Sequence, residues 1–505
     1  MTDPELDAAA ADARANFAHG TADAYDHVIL ALVHSAKGEW AHADALFAQA
    51  QALEPGNPAT LTSLAIHYRR QGRNRDAVLA CDAAIRDYPD YPDAWLERAA
   101  ILAAAHAGLA SLAARAGDHT AARRHASDAL RRDPANAVAI NALAGAELGV
   151  GDADAAAQLL VPLIARLAEP SLERSFAHSL LADARHRQRD HAAAFAHYSA
   201  ANADFAAIHA ADAARNLDQT SFIEALIDGF AATNAADWAS APGSQPAGAA
   251  KRHVFLLGYP RSGTTLVENI LASLPGVAAL EERPTFAAAD MNHIAGNARD
   301  IGAGLARFAH YGADALEHYR RAYWDNVMSS GVPPDADCFV DMDPMKGTRL
   351  PFIARMFPGA RILLMRRDPR DVVWSCFKTS FAMSSQTLEY TTLERTARHY
   401  DALMRLTELA LAQLPLSVHI VDYHRLVRDF DAETQAMCVF AGLEWSEAVR
   451  DFDRTSKARG VSTASVAQVG RSLYDGTAQW EPYAEYLAPV LPILEPWIKK
   501  FGYAG

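Results

Sequence analysis

One interval in the first half of the chain limits what it can fold into. The stretch "GEWAHADALFAQAQALEPGNP" begins at Gly38, and "GRNRDAVLACDAAIRDYPDYP" begins at Gly72, 34 residues on. A third copy starts at Gly117 and a fourth at Gly151, again 34 further. The step from Gly72 to Gly117 is 45, one period plus eleven residues around "AHAGLASLAAR". A degenerate fifth copy, "RDHAAAFAHYSAANADF", starts at Arg189. Glycine stands at the turn, Ala43 and Ala77 fall in one register, and so do Pro55 and Pro89. A unit of this length is a helix pair that cannot bury its apolar face alone, so consecutive pairs must stack into a solenoid. High alanine content can imitate periodicity, but it does not place glycine and proline at fixed offsets.

Small alanines on the packed faces, a turn glycine and a proline closing the second helix make this region resemble the tetratricopeptide repeat. That resemblance implies a superhelix with a concave groove for peptide binding or assembly, and it names no ligand.

Residues 216–252 change character. "NLDQTSFIEALIDGFAATNAADW" reads as one more helix, and "ASAPGSQPAGAAKR" collects the residues of a linker. The expected organisation is repeats over 1–215, helix and linker over 216–252, and a second domain over 253–505. In that domain "HVFLLG", "ARILLMRR" and "LSVHIVDY" read as buried strands separated by helical stretches, the pattern of a parallel α/β sheet. The fold class is therefore an α solenoid followed by a parallel-sheet α/β domain.

Composition excludes some partners. A net charge of −14 gives no bulk attraction to nucleic acid or anionic membrane, so an anionic ligand needs a local arginine cluster. The four cysteines, Cys81, Cys338, Cys376 and Cys438, are scattered without metal spacing, which fits a reducing cytosol and a cytoplasmic protein. The first twenty residues are acidic and carry no long apolar run, so no secretory leader is expected, and no run of about 18 apolar residues suggests a membrane span.

The chemistry is carried by "HVFLLGYPRSGTTL", residues 253–266. A strand, a glycine-bounded turn and a helix start aim backbone N–H groups and a helix dipole at an anion. A nucleoside triphosphatase loop would have lysine at position 264; this chain has Thr264. Arg261 supplies the cation instead, Ser262 and Gly263 the turn, and Thr264 and Thr265 hydroxyls. A sulfuryl group carries one negative charge where a terminal phosphate carries nearly two, so it needs neither that lysine nor a metal. "PRSGTTL" resembles the 5′-phosphosulfate loop of sulfotransferases. About 100 residues on, "RRDPRDVVWS" follows a strand, and Arg367 and Ser375 match the family's arginine and serine for the 3′-phosphate. The physical demand is an arginine fork and a hydroxyl that recognise a second phosphate.

The resemblance runs from about His253 to near Gly505, and the bacterial repeat-containing sulfotransferases are the most similar class. It implies 3′-phosphoadenosine-5′-phosphosulfate as donor, adenosine 3′,5′-bisphosphate as product and no metal. Tyr423 matches a tyrosine that contacts adenine, although His424 follows where an acidic residue is usual. "VSTASVAQVGRSLYDGTAQW" is similar to the C-terminal stretch of the tyrosylprotein branch, and Ser465 matches its serine near the sulfuryl group. "LEERPTF" places Glu282 in register with that branch's general base; the neighbouring Glu281 is expected to point elsewhere. His293 and His310 are bases by residue type only. Two positions depart from the pattern. Met342 stands where a leaving-group lysine is usual, with Lys346 as the nearby substitute, and Gln479 precedes Trp480 where a basic residue is usual. Three functions follow: an active sulfotransferase with a hydroxyl acceptor, a peptide or other large substrate among them; a repeat interaction module with a degenerate nucleotide-binding domain; and a phosphate-loop kinase, which Thr264 argues against.

Overall fold

The structure is a computed structural model that describes residues 3–215, 217–238, 245–295, 298–459, 473 and 475–503. After α1 (Asp3–His19) come four helix pairs. They are α2 (Ala24–Ala36) with α3 (Trp40–Leu53), α4 (Pro58–Arg70) with α5 (Asn74–Asp87), α6 (Pro92–Arg115) with α7 (His119–Leu130), and α8 (Ala137–Val150) with α9 (Ala153–Arg166). Together they form one compact unit that ends at Arg166. The packed faces are alanine, as the repeat requires: Ala43, Ala50, Ala77, Ala84, Ala126 and Ala129 are wholly buried. The eleven extra residues lengthen α6 to 24 residues. By length and composition alone α6 could cross a membrane, yet it packs on α4, α5, α7 and α8.

The repeated glycine has a backbone reason. Gly38, Gly72, Gly117 and Gly151 join the two helices of each pair at φ 75°, 74°, 77° and 94°. Space is not the constraint, since nothing lies within 4 Å of a Cβ built on Gly72, Gly117 or Gly151. The fifth copy keeps the turn without the glycine: Arg189 sits there at φ 63°. A non-glycine residue in this region costs about 1–2 kcal/mol, against about 0.5–1 kcal/mol of extra chain entropy lost by glycine. Arg189→Gly should therefore stabilise its unit by about 0.5–1 kcal/mol, read as a higher urea midpoint. An unchanged or lower midpoint would remove the strain from this account.

The second compact unit runs from Leu167 to the C-terminus. It starts with the fifth pair, α10 (Leu172–Arg187) and α11 (His191–Ile208), then α12 (Ala210–Ala213) and α13 (Gln219–Ala231). The sequence pattern changes at 216–252, whereas the packing divides between Arg166 and Leu167. The fifth pair is built into this unit's core. Phe195 stacks on Tyr486 at 3.9 Å and on Phe377 at 5.6 Å, and Tyr198 meets Trp374 edge-on at 5.7 Å. The Asn202 amide donates to the Phe377 carbonyl at 2.9 Å.

The sheet is five parallel strands in the order β2-β3-β1-β4-β5: β1 (His253–Leu257), β2 (Val277–Glu281), β3 (Cys338–Met342), β4 (Arg361–Arg366) and β5 (Ser417–Asp422). β1 and β3 are buried throughout, which is why they read as continuous apolar runs rather than alternations. Alternate residues still serve opposite faces. Val254 and Leu256 pack with α14 (Thr264–Ala272), while Phe255 and Leu257 join the core shared with α10, α11 and α13. One charge lies inside the sheet. Asp341 of β3 is fully buried and is held by Thr285 Oγ1 at 2.8 Å, Tyr323 OH at 2.7 Å and the Lys346 ammonium.

Candidate active site

In an open parallel sheet, ligands bind beyond the carboxyl ends of the strands, where the strand order reverses. Here β1 is followed by a turn out to β2, and β3 and β4 flank β1 on opposite sides. Most of the sequence-predicted site residues lie just beyond such a strand end. Arg261 to Thr265 follow β1, Glu282 follows β2, Lys346 follows β3, Arg367 follows β4 and Tyr423 follows β5.

The loop after β1 closes tightly. Ser262 N–H donates to the Tyr259 carbonyl at 3.0 Å, and the Tyr259 hydroxyl is tied to His399 Nδ1 at 2.6 Å. Arg261 takes φ 70°, a conformation that costs a non-glycine residue and re-aims its side chain. Gly263 precedes α14 at φ 107°, and a Cβ there would lie 2.8 Å from the Tyr423 ring. Only glycine lets the ring seat against the start of α14. Thr264 and Thr265 open the helix and are buried, and Ser262 is buried with its Oγ facing the Tyr259 N–H at 3.4 Å.

β4 and the helix after it, α15 (Pro369–Lys378), bring the second motif onto this loop. Arg261 Nε donates to Ser375 Oγ at 3.1 Å, and Arg367 Nη1 donates to the Arg261 carbonyl at 2.8 Å. The Arg367 guanidinium lies 4.7 Å over the Tyr423 ring and also donates to the Gly476 carbonyl. Its Nε is buried without a partner among the described residues. The two motifs, far apart in the chain, thus share direct hydrogen bonds.

Sequence reasoning missed a third cation. Lys378 is one turn beyond Ser375 on α15, and its ammonium donates to Gln479 Oε1 at 2.9 Å. Burial, with Arg261 and Arg367 nearby, pushes its pKa down to about 8, partly offset by Asp183. Burial first and Arg367 second bring Arg261 down to about 10. Cations destabilised in this way are sites that a bound anion would relieve. The departure at Gln479 also has a structural answer: the positive charge beside that position comes from Lys378. Asp371, another residue the sequence did not single out, anchors the C-terminal stretch by accepting from Ala478 N–H at 2.9 Å and Trp480 N–H at 3.1 Å. The signal available for both was helical spacing from Ser375.

Across the loop stands a cluster of carboxylates. Glu282 adopts φ 47° directly after β2, and its N–H donates to the Met342 carbonyl at 2.7 Å. Glu282 is exposed at that kink, whereas Oε1 of Glu281, the last residue of β2, is buried. The Glu282 side chain keeps an open face, yet its crowded surroundings, then Asp343, Glu281 and Glu268, push its pKa up to about 7. Glu268 of α14 is fully buried against Arg459, at 2.7 Å, and burial likewise raises it to about 7. Met342 is buried in the apolar cluster beneath the sheet. Lys346 is 4 % exposed, donates to the Arg283 carbonyl at 3.0 Å and pairs with Asp341, which places it beside the Glu282 turn. His293 and His310 are elsewhere: His293 is buried against the Tyr319 hydroxyl at 3.0 Å, and His310 bonds the Ala306 carbonyl at 2.8 Å on an exposed turn. Ser465 lies outside the described residues.

Comparison with known proteins bears on the domain that carries these residues. Residues 253–447 match the sulfotransferase family. A protein of Aquifex aeolicus described as uncharacterized is 29 % identical over 259 residues, 50 % of this chain and 33 % of its own length. The nodulation protein NoeE of Sinorhizobium fredii is 27 % identical over 231 residues, 39 % of this chain and 54 % of its own. The chain thus spans about a third and about half of the curated relatives it matches. Among solved structures, the sulfotransferase domain of the Synechococcus olefin synthase aligns with 51 % of this chain and 98 % of its own, at 16 % identity and a TM-score of 0.33. A tetratricopeptide-repeat protein of Thermus thermophilus covers 35 % of this chain and 89 % of its own, at 21 % identity and a TM-score of 0.22.

Proposed function

We propose that this chain, a helical-repeat protein whose residues 253–447 form a domain of the sulfotransferase family, moves a sulfuryl group from 3′-phosphoadenosine-5′-phosphosulfate to an acceptor hydroxyl. One observation carries the reading: Arg261, Ser375 and Arg367 are joined by hydrogen bonds at the carboxyl ends of β1 and β4. The loop cradles the 5′-phosphosulfate, with Arg261 and the start of α14 facing its charge. Arg367 and Ser375 hold the 3′-phosphate, and Tyr423 supports the adenine side. Ser465, by its place in the family pattern, serves the sulfuryl group.

In the transfer, Glu282 takes the proton of the acceptor hydroxyl, the oxygen attacks sulfur, and the S–O bond to the 5′-phosphate breaks. Charge then develops on the leaving phosphate. Arg261 meets it there, with Lys346 or Lys378 in place of the lysine that Met342 replaces. No step calls for a metal. Two features support an active enzyme over a degenerate module: Lys378 beside Gln479, and Lys346 beside the Glu282 turn. The acceptor is a large hydroxyl-bearing substrate such as a peptide, recruited by the repeats, and the four cysteines, all free and buried, fit action in the cytosol.

Arg261→Ala tests the cradle. A charge-assisted hydrogen bond is worth about 1.5–3 kcal/mol, so donor affinity should drop roughly ten- to a hundred-fold while the thermal midpoint stays in place. Wild-type affinity in the folded variant would remove Arg261 from the site, and with it the proposed transfer.

A further inference from the structure

We propose that His106, His125 and Asp128 form a binding site for a divalent first-row transition-metal ion of the zinc type, which clips α6 to α7. His106 faces His125 across the pair, with Nδ1 to Nδ1 at 3.2 Å and ring centroids 5.4 Å apart. Asp128 lies one turn past His125, and its Oδ2 is 3.9 Å from His106 Nδ1. One ligand atom from each side chain lies within 4.8 Å of the others, and all three residues are half-buried. Zinc binds imidazole nitrogen at about 2.0–2.1 Å, so two nitrogens on a tetrahedral ion stand about 3.3 Å apart. The 3.2 Å between the two Nδ1 atoms matches, and the half-buried setting lets water serve as the fourth ligand. Two imidazoles and a carboxylate form a donor set suited to such ions.

The same hairpin recurs 72 residues later, which supplies an internal comparison. His178 and His197 stand in the positions of His106 and His125, with Nδ1 to Nδ1 at 3.0 Å and the same 32° between rings. Arg189 occupies the turn of Gly117. The third donor is missing, because Ala200 replaces Asp128. The nearby Asp204 is already held by Arg174, from Nε at 2.8 Å. Burial lowers the pKa of both His178 and His197, as expected of a neutral pair that donates one hydrogen bond internally. The recurrence shows that this hairpin geometry brings two imidazoles together; Asp128 is what makes one of the two a three-donor site.

Two arginines oppose metal binding and set its terms. Arg124 Nη2 approaches His125 Nε2 at 3.3 Å, so without metal Nε2 accepts and Nδ1–H donates to His106. Binding moves that proton within the ring from Nδ1 to Nε2 and displaces Arg124, with no net proton release. Arg131 pairs with Asp128 Oδ1, but Arg131 is largely exposed, so that pair is weak.

The test titrates the tag-free full-length protein with cobalt(II), read by its visible absorption, and with zinc(II) in competition. One equivalent is expected to bind with a rise in the thermal midpoint of unfolding. His125→Ala should weaken binding about 100-fold, Asp128→Asn about tenfold, and Arg124→Ala should tighten it. His197→Ala and His42→Ala, the latter at the exposed His34–Glu39–His42 cluster, should leave the isotherm unchanged. Should His125→Ala not fold, Asp128→Asn decides alone. An isotherm indifferent to His125 and Asp128, or one that moves with His42 or His197, overturns the site.

Discussion

Glu282→Gln is expected to leave donor affinity intact and to lower turnover by about 10²–10⁴, the usual worth of a general base. The expectation rests on position and on charge. Glu282 is aimed by a left-handed backbone kink and by its N–H bond to the Met342 carbonyl. A raised pKa of about 7 lets it be ionised at neutral pH and still hold a proton once it has taken one. The sign of the pH dependence follows. Only the carboxylate can accept the proton, so kcat/KM should rise tenfold per unit up to about pH 7 and be flat above it. In Glu282→Gln that limb should disappear. Glu281→Gln should do much less, because Glu281 Oε1 is buried whereas Glu282 is exposed to an incoming acceptor. A larger loss from Glu281, or a rate that falls between pH 6 and 8, would assign the base elsewhere.

The second large effect concerns the donor. The protein is expected to bind adenosine 3′,5′-bisphosphate at least about 10²-fold better than adenosine 5′-monophosphate, because the proposed site gives one arginine fork and one hydroxyl to the extra phosphate alone. Magnesium should make no difference. Arg367→Ala should reduce the bisphosphate to the level of the monophosphate. Since Arg367 also holds the Arg261 and Gly476 carbonyls, monophosphate affinity in the variant reports any damage to the loop. Calorimetry with ATP and both adenosine nucleotides, with and without EDTA, decides between readings. Equal affinities for the mono- and bisphosphate would end the sulfotransferase proposal; a preference for ATP with magnesium would point to a kinase.

Much of this architecture was legible in the chain because it follows from local rules. The turn glycines fix a backbone angle, and that angle recurs at every pair, even where Arg189 replaces glycine. β1, β4 and β5 stood out as apolar runs. β2 and β3 did not, for separate reasons. "VAALE" is short and half-buried at the sheet edge, and "CFVDM" has an aspartate as the fourth of its five residues. Asp341 is compatible with a buried strand only because Lys346, Thr285 and Tyr323 meet it, and those partners lie up to 56 residues away. The site divides likewise. Arg261, Arg367 and Ser375 were readable as motifs, but Lys378 and Asp371 gain meaning only where α15 meets the C-terminal stretch.

The fifth helix pair bears on how such a protein can be taken apart. Phe195 and Tyr198 are aromatic partners of Trp374 and Phe377, which lie on the same helix as Ser375. A shortened chain beginning after the linker would lay those rings open to water and loosen the helix that carries Ser375. The solenoid is therefore not an exchangeable cassette up to its last repeat. A recombination that grafts another array onto the sheet-bearing unit, in nature or in the laboratory, has its workable seam ahead of Leu172, and it must carry one hairpin of the old array along with that unit.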